Sequence, residues 1–111
     1  MPKHSNDRLQ GTLDLLILKA LARTGSLHGY AIAQRIHQAT GDSLRIEEGS
    51  LYPALQRMTH EKWLRAQWGT TDTGRKARFY TLTPAGRRQL EEEERNWVAL
   101  TEAVSKALRF A

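Results

Sequence analysis

Glu47-Glu48-Gly49-Ser50-Leu51-Tyr52-Pro53-Ala54-Leu55-Gln56-Arg57-Met58-Thr59-His60 decides how the rest of this chain is read. Its spacing predicts one short helix. Ser50 is a candidate N-cap, and Pro53 is tolerable in a first turn, where backbone N–H groups have no intrahelical partner. At about 100° per residue, Leu51, Ala54, Leu55 and Met58 share one face, Pro53, Gln56, Arg57 and His60 lie opposite, and Tyr52 falls on the border. One face is built to anchor and the other is left to meet something. The outer face mixes amide, guanidinium, imidazole and phenol groups, which suit phosphates and base edges; a merely solvated face has a similar composition.

Upstream, residues 1–8 are polar and aperiodic and read as a flexible arm, with Lys3 and Arg8 able to reach a phosphate. From Leu9 the pattern turns helical through Leu13, Leu16 and Ala20, and Leu15, Ile17, Leu18 and Leu21 widen the apolar face. A helix apolar on nearly all sides in so short a chain suggests cover from its own domain on one side and from a second subunit on the other. Thr24-Gly25-Ser26 reads as a turn, and a second helix is expected from about His28 to Gln38, with Ile32 and Ile36 four apart. Gly41 suits a helix C′ position. Leu44-Arg45-Ile46 alternates enough for a minimal strand.

Downstream the period switches. Leu64, Ala66 and Trp68 alternate with Arg65 and Gln67, Phe79 to Leu82 gives a second strand, and residues 69–78 form a polar tip carrying Arg75, Lys76 and Arg78. Three helices followed by a basic hairpin is the plan of a winged helix-turn-helix domain, whose third helix enters the major groove while the hairpin touches backbone or minor groove. Thr83-Pro84 then starts a last helix running to about Leu108. Leu90, Trp97, Val104 and Ala111 recur every seven residues, with Leu100 and Ala107 completing a stripe suited to a partner helix. Glu93 and Glu94 interrupt it, so a packed helix pair is expected rather than a long coiled coil. The expected organisation is an arm (1–8), a winged helix-turn-helix domain (9–83) and a dimerisation helix (84–111). The fold class is mainly α with a small β-hairpin.

The 111 residues suffice for one core. With no cysteine, thiolate ligands, thiol nucleophiles and disulfides are excluded. No apolar run approaches membrane-spanning length and the N-terminus has no signal-like segment, so a cytoplasmic protein is expected. Net charge is +5, unevenly spread: residues 1–90 hold 14 Lys and Arg against 7 Asp and Glu, and residues 91–111 reverse this at 3 against 5. A polyanionic partner for the basic body is a natural inference.

Several segments resemble the PadR-like transcriptional regulators. They are Leu9-Gln10-Gly11-Thr12-Leu13-Asp14-Leu15-Leu16-Ile17-Leu18, His28-Gly29-Tyr30-Ala31-Ile32, Glu48-Gly49-Ser50-Leu51-Tyr52-Pro53-Ala54-Leu55 with Arg57, and Arg75-Lys76-Ala77-Arg78-Phe79-Tyr80-Thr81-Leu82-Thr83-Pro84-Ala85-Gly86. The resemblance implies a homodimeric winged-helix protein that binds a palindromic operator in double-stranded DNA and usually represses transcription. By it, Ser50, Tyr52, Pro53, Gln56 and Arg57 face DNA from the third helix and Arg75, Lys76 and Arg78 act from the wing. The first and last helices form the dimer interface, here through Leu13, Leu16, Leu90, Trp97, Leu100 and Val104. Ending at Ala111, the chain looks like the small subfamily, so phenolic-acid effectors are not carried over.

Arginine suits guanine O6 and N7 and glutamine adenine N6 and N7, which makes Arg57 and Gln56 the candidate base readers. Tyr52 is a candidate phosphate donor, or a ring packed over the turn between the second and third helices. Trp63 and Trp68 read as core or hairpin packing. In some similar family members an aromatic residue at the dimer cleft stacks flat drug-like molecules, so Trp97 is a candidate contact for a small aromatic effector as well as a packing anchor. His4, His28, His37 and His60 have no paired ligand spacing, Ser50 has no evident base, and no glycine fingerprint for phosphate is present, so neither metal, cofactor nor catalysis is expected. His28 reads as a helix-start residue bonding a backbone group. A winged-helix module for protein association is the alternative, and an acidic or apolar recognition surface would mark it.

Overall fold

The computed structural model describes the backbone of residues 3–110 and the side chains of residues 11–110. Helix α1 (Lys3–Thr24) leads through β1 (Ser26–His28) into α2 (Gly29–Ala39); α3 (Glu48–His60), β2 (Leu64–Thr70), β3 (Lys76–Leu82) and α4 (Pro84–Phe110) follow. Helix α1 already begins at Lys3, inside the stretch expected as an arm. The phosphate reach expected of Lys3 and Arg8, like the place of Leu9 in the stripe, concerns side chains outside the described residues.

The core is a trihelical cluster closed by the sheet. Ile17, Leu18 and Leu21 of α1, Ile32 and Ile36 of α2, and Leu51, Leu55 and Met58 of α3 are buried together, with Leu64, Tyr80 and Leu82 closing one side and Leu90 of α4 another. The broad apolar face of α1 is thus largely consumed within the chain: Leu13 is buried, and Leu15, Leu16 and Ala22 pack partly buried against the same cluster.

Turns fix the angles between these elements. Gly25, at φ +98°, ends α1 with its N–H on the Leu21 carbonyl (2.8 Å) and turns the chain into β1. Helix α2 ends in a Schellman motif: the Gly41 N–H bonds the Gln38 carbonyl at 3.3 Å and the Asp42 N–H bonds the His37 carbonyl at 2.8 Å. The strand expected at residues 44–46 is absent. The Ile46 N–H instead donates to His37 Nε2 at 2.8 Å, so a side chain of α2 takes the bond a ladder would have taken.

The strand that does form is β1, read from sequence as turn and helix start. It adds to the hairpin as a third antiparallel strand, in the order β1-β3-β2, pairing Ser26 with Thr81 and His28 with Phe79. His28 accordingly makes no side-chain cap on α2; its ring packs against Phe79 with centroids 5.2 Å apart. In the hairpin, Leu64 faces Leu82, Ala66 faces Tyr80, Trp68 faces Arg78 and Thr70 faces Lys76.

Thr83 joins the sheet to the last helix. Its hydroxyl accepts the Gly86 N–H at 3.0 Å as the expected cap, and donates to the Lys62 and Trp63 carbonyls at 2.6 and 3.0 Å. Gly86 is buried against that strand start, where a Cβ would overlap the Trp63 carbonyl. Helix α4 then runs for 27 residues, about 40 Å. Its first turns pack on the body through Leu90, and Glu94 pairs with Lys19 of α1 at 3.0 Å.

Candidate nucleic-acid interface

Helix α3 divides as its spacing predicts: Leu51, Ala54, Leu55 and Met58 are buried, and Tyr52, Pro53, Gln56 and His60 are exposed. Its start differs. Glu47, not Ser50, is the N-cap residue, accepting the Ser50 and Leu51 N–H groups on its carbonyl at 3.0 and 2.9 Å without a side-chain cap bond. Pro53 therefore sits in the second turn, where its missing N–H removes one i→i−4 bond. Ser50 is an exposed residue of the first turn.

Arg57 is bound inward. Its Nη1 and Nη2 donate to Asp14 Oδ2 and Oδ1 at 3.0 and 2.7 Å, a bidentate pair joining α3 to α1. Asp14 is the one buried charged residue of the described core, at 5% exposure. The hydrogen bond to Asp14 raises the Arg57 pKa further above its ordinary value, against the opposing effect of partial burial. Arg57, a candidate base reader, is in this structure paired with Asp14 and so fastens α3 to α1. A single acid inside the run Leu13-Asp14-Leu15-Leu16 was the available signal for a buried ion pair.

Tyr52 stands at the junction of α3 and α2. A Cβ at Gly29 would come within 2.8 Å of Tyr52 Cε1 and 3.0 Å of its hydroxyl, so the ring lies directly over the start of α2, at the opposite end of that helix from the α2–α3 turn expected for it, with 42% of the residue still exposed.

Facing α3 is one side of the hairpin. Because residues paired across antiparallel strands share a face, Leu64 with Leu82, Ala66 with Tyr80, Trp68 with Arg78 and Thr70 with Lys76 form a continuous strip that passes from core to solvent. Tyr80 is buried at its middle, and desolvation pushes its phenol pKa up. Trp68, expected to pack in the hairpin, is 70% exposed at the outer part of this strip. The turn beyond is held by its own bonds, Thr71 N–H to the Arg75 carbonyl at 2.8 Å and Arg75 N–H to Thr71 Oγ1 at 3.2 Å, with Gly74 at φ +85°.

Between strip and helix lies a cleft of about 530 Å³. Tyr52, Pro53 and Gln56 line it from α3, Trp68, Lys76, Ala77, Arg78 and Tyr80 from the wing, and His28 and Gly29 from the β1–α2 junction. No carboxylate lines it, while Lys76 and Arg78 do, so its potential is positive. The fold thus gathers Tyr52, Pro53, Gln56, Lys76 and Arg78 around one cleft. Ser50 and Arg75 are exposed outside its lining, and Arg57 is turned away to Asp14. Trp68 and His28 join it without having been assigned to it.

A second uncovered surface runs along α4. Leu90 is buried in the chain's own core, as is Leu13, so these two of the expected dimer residues are already spent within the subunit. Beyond Leu90, Trp97, Leu100, Val104 and Leu108 are all exposed, Trp97 at 45%. Leu16 is half-buried; Ala111, the last residue of the expected stripe, lies outside the described residues. Among the described residues no group of three or more His, Cys, Asp or Glu could hold a metal, and no helix is long and apolar enough to cross a membrane.

Comparison with known proteins places this geometry. Residues 17–92 match the family model described as the transcriptional regulator PadR-like family. The fold superposes on a transcriptional regulator from Clostridium thermocellum with a TM-score of 0.81 at 26% identity, covering 90% of this chain and 96% of that one. An uncharacterized protein of Lysinibacillus sphaericus is 30% identical over 99 residues, which are 89% of this chain and 90% of that protein. The negative transcriptional regulator PadR of Bacillus subtilis is 28% identical over 72 residues, 65% of this chain but only 40% of that longer protein. The match to the family model, spanning well over half of the sequence, and the superposition of nearly the whole fold agree with the basic helix-and-wing cleft: the chain belongs to the PadR-like family of winged-helix transcriptional regulators, which act by binding DNA.

Proposed function

We propose that the chain is a homodimeric repressor that binds a palindromic operator in the cytoplasm. Exposed residues of α3 enter the major groove, with Gln56 reading base edges and Ser50, Tyr52 and Pro53 meeting the backbone beside it. Lys76 and Arg78, with Arg75 at the wing tip, take phosphates. Arg57 contributes through Asp14, by holding α3 at its angle on α1. The observation that carries this reading is the cleft itself: cationic, free of carboxylates and continuous with the outer face of α3.

The apolar row Trp97, Leu100, Val104 and Leu108 supports dimerisation. It continues α4 beyond the body, where the chain's own core gives it no cover, and such a row is the seam that pairs helices. Leu16 is half-buried on α1, the helix that α4 packs against. Repression follows from occupying a promoter, and the Bacillus subtilis relative is itself named a negative regulator.

The test is selection of duplexes from a random pool, followed by titration of selected and scrambled duplexes at several salt concentrations. Lys76→Ala is expected to weaken both alike and to reduce the salt slope by about 0.9, the increment for one phosphate contact. Gln56→Ala is expected to change the preferred sequence. Equal binding of selected and scrambled duplexes by the native chain would overturn the proposal.

A further inference from the structure

An indole left 70% exposed needs a reason. The ring of Trp68 is on the outer part of a strip whose inner members, Leu64, Tyr80 and Leu82, are all buried. It sits directly across from Arg78, with Lys76 one pair further out, and lines the cleft opposite Tyr52 and Pro53. Beside it on the outer strip stand two cations, Arg78 and Lys76, and no carboxylate lines the cleft, which suits an anionic partner. Among the described residues neither Lys76 nor Arg78 is in an ion pair, the pairs being Lys19 with Glu94 and Arg57 with Asp14.

We propose that Trp68 is a DNA-contact residue: its indole packs on the deoxyribose faces of the strand seated in the helix–wing cleft, between phosphates held by Lys76 and Arg78. This rests on the DNA-binding reading above and adds to it a residue and a kind of contact. A cleft bounded by a major-groove helix and a wing is where the backbone separating two grooves passes. The cations beside Trp68 suit phosphates, and the surface lying between successive phosphates is sugar, which is apolar enough to cover an indole and is the same at every base pair. The contact is therefore indifferent to sequence and displaces no counterion. It contributes affinity without a salt slope, unlike its two basic neighbours.

Trp68→Ala is expected to weaken selected and scrambled duplexes alike by roughly tenfold, a factor that corresponds to about 1.4 kcal/mol, with an unchanged salt slope and an unchanged melting temperature because the ring supports no core. Trp68→Phe restores most of the loss. In a Trp63→Phe, Trp97→Phe chain that keeps Trp68 as its only tryptophan, the emission is expected to quench and shift to the blue on adding either duplex. If the native chain shows no DNA binding, the underlying reading fails. If it binds but Trp68→Ala stays within twofold at every salt concentration and the Trp68 emission does not move, this inference fails while the reading stands. A loss confined to particular base sequences would equally overturn it, because it would mean that the ring touches bases.

Discussion

Removing the two halves of the Asp14–Arg57 pair one at a time should give unequal results. The Asp14 side chain is 8% exposed and that of Arg57 33% exposed. Arg57→Met takes away the cation and leaves a carboxylate enclosed by the core, a change that costs about 3 kcal/mol or more. Asp14→Asn leaves a guanidinium that solvent already reaches and an amide that can still accept one of its bonds, so the loss is about 1.5 kcal/mol, typical of a hydrogen bond to a charged group. The double change Asp14→Leu with Arg57→Met removes both charges and should recover most of the stability, since buried pairs are often replaceable by apolar groups of similar volume. Urea unfolding at one fixed protein concentration measures all four chains, the fixed concentration mattering because a dimer's midpoint depends on it. An Asp14→Asn cost equal to or above that of Arg57→Met would refute the reasoning, as would an Arg57→Met midpoint indistinguishable from that of the native chain. DNA titration of the refolded double variant separates positioning from reading. An unchanged base preference fits Arg57 as a strut, whereas preference lost at a single base pair would mean that Arg57 leaves Asp14 to contact a base.

Two glycines give sharper local tests. Gly86→Ala drives a methyl into the Trp63 carbonyl and the Leu82 side chain, so α4 must lift from the hairpin base; a loss of about 3 kcal/mol is expected, at the upper end for overpacking, read as a lowered urea midpoint. Gly29→Ala meets first the half-exposed Tyr52 ring, so stability should change by less than about 1 kcal/mol, while the displaced ring narrows the cleft and weakens DNA binding severalfold in the same titration.

What could be read in the sequence, and what could not, follows the range of the interactions. The buried face of α3 and the hairpin strands were legible because period 3.6 and period 2 are local signals, and Thr83-Pro84 marked the start of α4 because capping is local too. Strand β1 was not legible: Ser26-Leu27-His28 has no period of its own and becomes a strand only through pairing with Thr81, Tyr80 and Phe79, more than fifty positions away. Residues 44–46 show the converse, an alternation with no strand to pair with, its Ile46 N–H claimed by His37. At the site, composition identified the basic wing and the mixed face of α3. It did not show the ion pair of Arg57, because nothing near Arg57 in the sequence reveals Asp14, 43 residues earlier. It gave Trp68 to the hairpin interior because alternation tells which face a residue shares but not how far along the strip the core extends.

In the proposed complex, two copies set two α3 helices into successive major grooves, their outer residues flanked by the wings. Hydroxyl-radical footprinting of a selected duplex tests this most directly. Two protected patches are expected, related by a two-fold axis and centred about 34 to 36 Å apart, one helical turn, with further protection at the flanks that Lys76→Ala weakens. A single unpaired patch, or protection no stronger than on a scrambled duplex, would contradict it.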